Sequence, residues 1–160
     1  MKFLIPIISF LGSIIGIALK KLAKEEIKFG KFGPKYFVWM KRILLLIIIL
    51  TTLSFTENYF LLIPTIIAGF IIAIFLSEYL FLGTALTFAF SKSNEILILI
   101  ASLIFLYGLP YGSMLKRIRK EHIYIAVLFF IPFLLLLTNI NQDFLIGFIA
   151  GGCFNYLIRK

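Results

Sequence analysis

Six apolar stretches divide the chain, at residues 3–19, 37–55, 60–91, 96–115, 123–137 and 144–158, with short polar segments between them. Five have the length needed to cross about 30 Å of hydrocarbon, which takes roughly 17 to 25 helical residues once short or interfacially extended ends are allowed for. The stretch 60–91 does not fit as a single span, since one helix of that length would run about 48 Å. Divided in two, it makes two short helices with a tight turn near Ser77, Glu78 and Tyr79.

Charge decides between the two readings. All the Lys and Arg residues except Lys2 and Lys92 fall into three clusters, from Lys20 to Arg42, from Lys116 to Lys120, and at Arg159 and Lys160. Basic residues flanking membrane spans stay on the cytoplasmic side. A single span over 60–91 would put the second cluster opposite the first, whereas two spans put every cluster on one side. The expectation is therefore an all-α integral membrane protein of seven transmembrane helices, about 3–19, 37–55, 60–76, 79–91, 96–115, 123–138 and 144–158. The N-terminus lies outside and the C-terminus in the cytoplasm of a cell-membrane protein. A re-entrant hairpin over 60–91 has the same parity, and is tolerated only where protein or water shields it.

Composition agrees with the membrane reading. The chain is 62% hydrophobic and 14% charged, with a mean hydropathy of +1.10, against roughly 45–50% and 25% for soluble domains. The net charge of +9 concentrates at span ends, where anionic lipid headgroups account for it, so nucleic acid is not an expected partner. Cys153 is the only cysteine, which excludes an intrachain disulfide. Residues 1–19 lack a small-residue cleavage pattern after Ala18 and Leu19, so they are read as the first span and not as a leader. The longest polar stretch, 20–35, is too short to form a soluble core. One membrane domain over 1–160 is expected, with 20–36 as a basic cytoplasmic loop along the inner surface. Tyr36, Phe37 and Trp39 would anchor at headgroup depth. Lys20, Lys21, Lys116, Arg117 and Arg119 are the expected headgroup contacts.

An internal repeat is suggested by Leu19-Lys20-Lys21-Leu22-Ala23-Lys24-Glu25-Glu26 and Leu115-Lys116-Arg117-Ile118-Arg119-Lys120-Glu121-His122. Each closes a span carrying GxxxG, at Gly12 and Gly16 and at Gly108 and Gly112. Small residues at four-residue spacing let helix backbones approach in lipid, and two further such faces are Thr65, Gly69, Ala73 and Ser77, and Gly147, Gly151 and Asn155. These superimpose at an offset of 82, with Asn155 in place of Ala73. Spans 1–3 and 5–7 would then be parallel three-helix repeats joined by a linker helix, a 3+1+3 plan. In topology alone this resembles the SWEET and PQ-loop sugar and amino-acid carriers, a resemblance that implies parallel repeats. The Pro-Gln dipeptide of the PQ-loop group is absent, Pro110 being followed by Tyr111, and no residue role is carried over.

Polar side chains inside the spans are the candidates for a substrate or ion pathway. Thr84 and Thr87 share a face of span 4 with Ser91, although hydroxyls of this kind also bond back to their own helix. Asn155 interrupts a small-residue face, and Glu78 is the carboxylate least easily placed in an aqueous loop. Glu57, Glu95, Asp143 and Lys92 are expected on the solvated outer surface. Pro110, between two glycines, predicts a kink.

Catalytic chemistry finds little to work with. His122 is the sole histidine and has no second His or nearby Cys for a metal site. The carboxylates are too scattered for clustered Mg²⁺ ligands, and a serine hydrolase needs a base within reach of a buried Ser. No cofactor is expected. The first expectation is a small-solute or ion transport protein. The alternatives are a non-catalytic subunit or assembly factor, homo-oligomeric or packed on partner helices, and a lipid-modifying enzyme that holds phosphate with Lys116, Arg117 and Arg119.

Overall fold

A computed structural model describes residues 4–22, 34–114, 118–138 and 140–159, the side chains of 34 and 118–121 excepted. Among these residues there are seven α-helices and no strand: α1 (Leu4–Leu22), α2 (Pro34–Leu53), α3 (Tyr59–Ile72), α4 (Glu78–Ser91), α5 (Asn94–Met114), α6 (Ile118–Phe130) and α7 (Gln142–Ile158). α6 continues as a 3₁₀ segment, Ile131–Leu137. Three helices are long and apolar enough to cross a membrane, Leu4–Leu22, Lys35–Leu53 and Asn94–Met114. The others are shorter. These three long apolar helices are compatible with a membrane location.

Local chemistry sets the helix starts. Asn58 accepts from the Phe60 N–H at 3.1 Å, and Asn141 from the Asp143 N–H at 2.9 Å. Ser77 caps α4 through the Tyr79 N–H. Each side-chain oxygen satisfies a backbone donor that the first helical turn leaves unpaired. The Ser77 cap is what divides the apolar stretch 60–91 into α3 and α4. α6 stops being α-helical at Phe130 because Pro132 lacks an N–H and restricts the residue before it. Pro110, where a kink is expected, lies inside α5, which runs on to Met114.

The first helix is amphipathic in an inverted sense. On α1 the buried face is Ser9, Gly12, Ser13 and Gly16 with Pro6, Phe10 and Ile17, while Leu4, Ile7, Ile8, Leu11, Ile14 and Ile15 face outward. In lipid, large apolar side chains gain nothing by leaving the acyl chains, and small residues allow close packing.

That packing forms two parallel pairs. A Cβ on Gly12 or Gly16 would overlap the backbone carbonyls of Phe105 and Leu109, and one on Gly108 or Gly112 would overlap the Gly12–Ser13 backbone. A Cβ on Gly69 would overlap the Phe148 carbonyl, one on Gly151 the Ile66 carbonyl, and one on Gly147 Thr65. α1 therefore lies against α5, and α3 against α7, in each case with residue numbers rising together. α4 sits among α5, α6 and α7 and is buried on every face from Phe81 to Ala89. Tyr79 on α4 packs against Phe10, Tyr107, Tyr111 and Phe129, with ring centroids 5.9, 6.2, 4.8 and 6.1 Å away. Helices α1, α5 and α6 are thereby gathered around the first turn of α4.

Candidate functional site

At one end of the bundle the starts of α2 and α4 meet the ends of α5 and α7. Lys41, from α2, reaches Glu78 on the first turn of α4, with Nζ to Oε1 at 2.8 Å. The side chains are 19% and 8% exposed, so this is a largely desolvated ion pair. Its position suits both partners. The carboxylate lies at the positive end of the α4 dipole, and the ammonium lies 5.4 Å from the ring centroid of Tyr107 and 4.7 Å from that of Tyr111. Aromatic faces at that distance stabilise a desolvated cation.

Two arginines complete this end. Arg42 donates from Nη2 to the Arg159 carbonyl at 3.2 Å, just past the C-terminus of α7. The Tyr156 hydroxyl donates to the Leu76 carbonyl and ties α7 to the turn before α4. A cavity of about 280 Å³ opens here, walled by Lys41, Arg42, Glu78, Tyr156 and Arg159 over the apolar Leu45.

A second polar cavity, about 220 Å³, lies at the opposite end of α4. Thr87 and Ser91 of α4, Thr138, and Gln142 at the start of α7 contribute its polar groups. The two cavities are separated along α4 by roughly 14 Å, the rise of the nine residues from Glu78 to Thr87. Phe81, Leu82, Ala85 and Leu86 fill that interval and are fully buried.

The four pathway candidates are not brought together. Glu78 lines the first cavity and Thr87 the second, while neither is walled by Thr84 or Asn155. Thr84 donates to the Leu80 carbonyl at 2.8 Å and Thr87 to the Gly83 carbonyl at 2.9 Å, both within α4. Asn155 donates to the Phe70 carbonyl at 3.1 Å, a cross-link inside the α3–α7 pair.

Charged residues expected on a solvated surface divide. Glu57 and Glu95 are exposed. Asp143 is 7% exposed and accepts the Glu57 N–H at 3.0 Å, so it ties the start of α7 to the α2–α3 connection. This departs from the sequence reading, because burial of this carboxylate depends on a backbone donor that only the fold supplies. Lys92 lies with Nζ 5.8 Å from the Phe88 ring centroid. Lys20 and Lys21 occupy the last turn of α1. Lys116, Arg117 and the Arg119 side chain lie outside the described residues.

His122 comes nearer a buried serine than its sequence position suggested, with Nε2 3.5 Å from Ser13 Oγ. Two features argue against proton transfer. Ser13 already donates to the Phe10 carbonyl at 2.9 Å, and His122 Nδ1 has no hydrogen-bond partner among the described residues to orient the ring. A nucleophile and base of this kind need a shorter contact and a third group. Burial holds the His122 imidazole below its ordinary pKa. Among the described residues no His, Cys, Asp and Glu cluster suited to a metal ion occurs.

Comparison with protein-family models, curated proteins and solved structures finds no match to this chain.

Proposed function

We propose that the chain is a seven-span membrane protein, N-terminus outside and C-terminus cytoplasmic, that moves a small solute by opening the two ends of α4 in turn. The observation that supports this reading is the pair of polar cavities at opposite ends of α4, both walled by α4 and α7 and separated by closed apolar packing. A carrier at rest between its two open forms has such an arrangement, because a continuous wet path would leak. The pathway is then contributed by Glu78 and Thr87 at the two mouths, with Thr84 and Asn155 serving packing. The parallel α1–α5 and α3–α7 pairs give two units that can rock as bodies about α4, in the manner of repeat-built carriers.

Flux into proteoliposomes provides the test. Across a panel of small anions, sugars and amino acids, at least one solute should enter faster than in empty vesicles, and thiol reactivity of Arg42→Cys and Ser91→Cys should change in opposite directions when it is added. No flux for any solute, with unchanged reactivity at both positions, would overturn the reading.

A non-transporting subunit is the second reading. It draws on α4 being closed on every face and on Thr84, Thr87 and Asn155 all spending their hydrogen bonds inside the bundle. Co-purification of a stoichiometric membrane partner, together with absent flux, would favour it.

A further inference from the structure

We infer that the cavity between α2, α4 and α7 binds a phosphate monoester group, held by the guanidinium groups of Arg42 and Arg159. Three cations wall this cavity, Lys41, Arg42 and Arg159, against one carboxylate, Glu78. Lys41 is neutralised by Glu78 at 2.8 Å. The two arginines have no carboxylate partner among the described residues, so the described lining carries a formal charge of +2. A phosphate monoester at neutral pH carries about −1.5 to −2, and planar guanidinium groups match its oxygens in bidentate fashion better than an ammonium does.

The rest of the cavity sets the size of what accompanies the phosphate. At about 280 Å³ it falls just below the roughly 300–1,000 Å³ of small-molecule sites. The apolar Leu45 and the Tyr156 ring face the same space as the charges. A phosphate carrying a few carbons fits this description, and it has two sources: a soluble phosphoester such as glycerol phosphate, or the headgroup of phosphatidic acid entering from the bilayer side. Glu78 acts as a charge selector in this site. By holding Lys41, it keeps the net charge at two and leaves the arginines as the recognition pair.

The site occupies the Glu78 mouth of the pathway proposed above, yet binding is measured apart from flux, so the experiments separate the two. Purified full-length protein in neutral detergent is titrated calorimetrically with glycerol 3-phosphate and with inorganic phosphate. The same protein in phosphatidylcholine nanodiscs is tested with and without phosphatidic acid, read by native mass spectrometry of retained lipid. Saturable binding of glycerol 3-phosphate assigns a soluble ligand; selective retention of phosphatidic acid with no binding of the soluble ester assigns the lipid. In either case Arg42→Gln and Arg159→Gln should each weaken binding at least tenfold. Arg159→Lys should weaken it less, and Lys92→Gln, at the far end of the bundle, should leave it unchanged. Glu78→Gln should tighten binding several-fold by releasing the Lys41 charge, an effect that loss of structure would not produce. Helical content and a single size-exclusion peak identify the variants that fold. Absence of binding by every probe, or equal affinity in wild type and both Arg→Gln variants, overturns the inference. Flux without binding here sinks only this inference, and binding without flux sinks only the transport reading.

Discussion

Lys41 and Glu78 form a 2.8 Å ion pair at the point where the first turn of α4 meets α2. The pair is a joint between elements with no sequence neighbourhood, and the ammonium is also enclosed by two tyrosine rings of α5. Removing one partner leaves the other charge desolvated and unpaired, which typically costs about 3 kcal/mol or more. Lys41→Met and Glu78→Ala should therefore each lower the midpoint of SDS-induced unfolding substantially. The double variant should be less destabilised than the sum of the two. Additive effects would show that the residues do not interact.

Close approach of α1 to α5 depends on backbone meeting backbone. Gly12→Ala or Gly16→Ala would place a methyl group against the carbonyls of Phe105 or Leu109. Neither carbonyl can rotate away, so the helices must separate. Overpacking of this kind costs about 1–3 kcal/mol. Ser102→Ala, on the exposed face of α5, should lie within about 0.5 kcal/mol of wild type. Thermal unfolding in detergent distinguishes the two groups.

Asp143 is the buried carboxylate that sequence reasoning assigned to the outer surface. Its acceptance of the Glu57 N–H across 86 positions of sequence is a charge-assisted bond worth roughly 1.5–3 kcal/mol. Asp143→Ala should destabilise the protein by about that amount and speed hydrogen exchange at the Glu57 amide. Glu57→Gln, which alters only an exposed side chain, should do neither.

His122 predicts an acid-sensitive step. Burial holds its imidazole below the ordinary value of about 6.5, so the unfolded chain binds a proton more readily than the folded one. The stability this group contributes is fully present above pH 6.5 and is lost as pH falls from there through the lower pKa of the folded state. Melting temperature should drop between pH 7 and pH 5, and His122→Gln should flatten that part of the profile. An unchanged slope in the variant would assign the acid sensitivity elsewhere.

How much of this was legible in the sequence depended on whether a feature is periodic or merely spatial. The division of 60–91 followed from charge parity, and Ser77 supplies the cap that makes it. Gly12, Gly16, Gly108 and Gly112 announced close packing by their four-residue spacing, though not that the two motifs face each other. Lys41 and Glu78 lie 37 positions apart and carry no joint pattern, so their pairing was invisible. The same holds for Arg42 and Arg159, which the sequence reading treated only as orienting charge. Pro132 was overlooked because it lies inside an apolar run that hydropathy reads as uniform. Thr84 and Thr87 shared a predicted face, yet that spacing does not distinguish a pathway from hydroxyls bonded to their own helix.

Alternation of helix direction supplies the prediction that bears most on the membrane reading. Glycine contacts in rising register make α1 parallel to α5 and α3 parallel to α7. Lys41, Glu78, Tyr111 and Arg159 meet at one end, so α2 and α4 begin where α5 and α7 finish. If each helix crosses the bilayer, Glu57 and Glu95 share one side, and Lys21 and Arg159 share the other. Cys153 is fully buried, which makes its replacement by Ala a suitable background for introducing single cysteines. Glu57→Cys and Glu95→Cys should react with a membrane-impermeant maleimide in intact cells. Lys21→Cys and Arg159→Cys should react only after permeabilisation. Reaction of Glu57→Cys but not Glu95→Cys in intact cells would mean that α3 and α4 together cross only once, and would replace the seven-span topology with one of six spans, since a re-entrant pair would keep both residues on the same side.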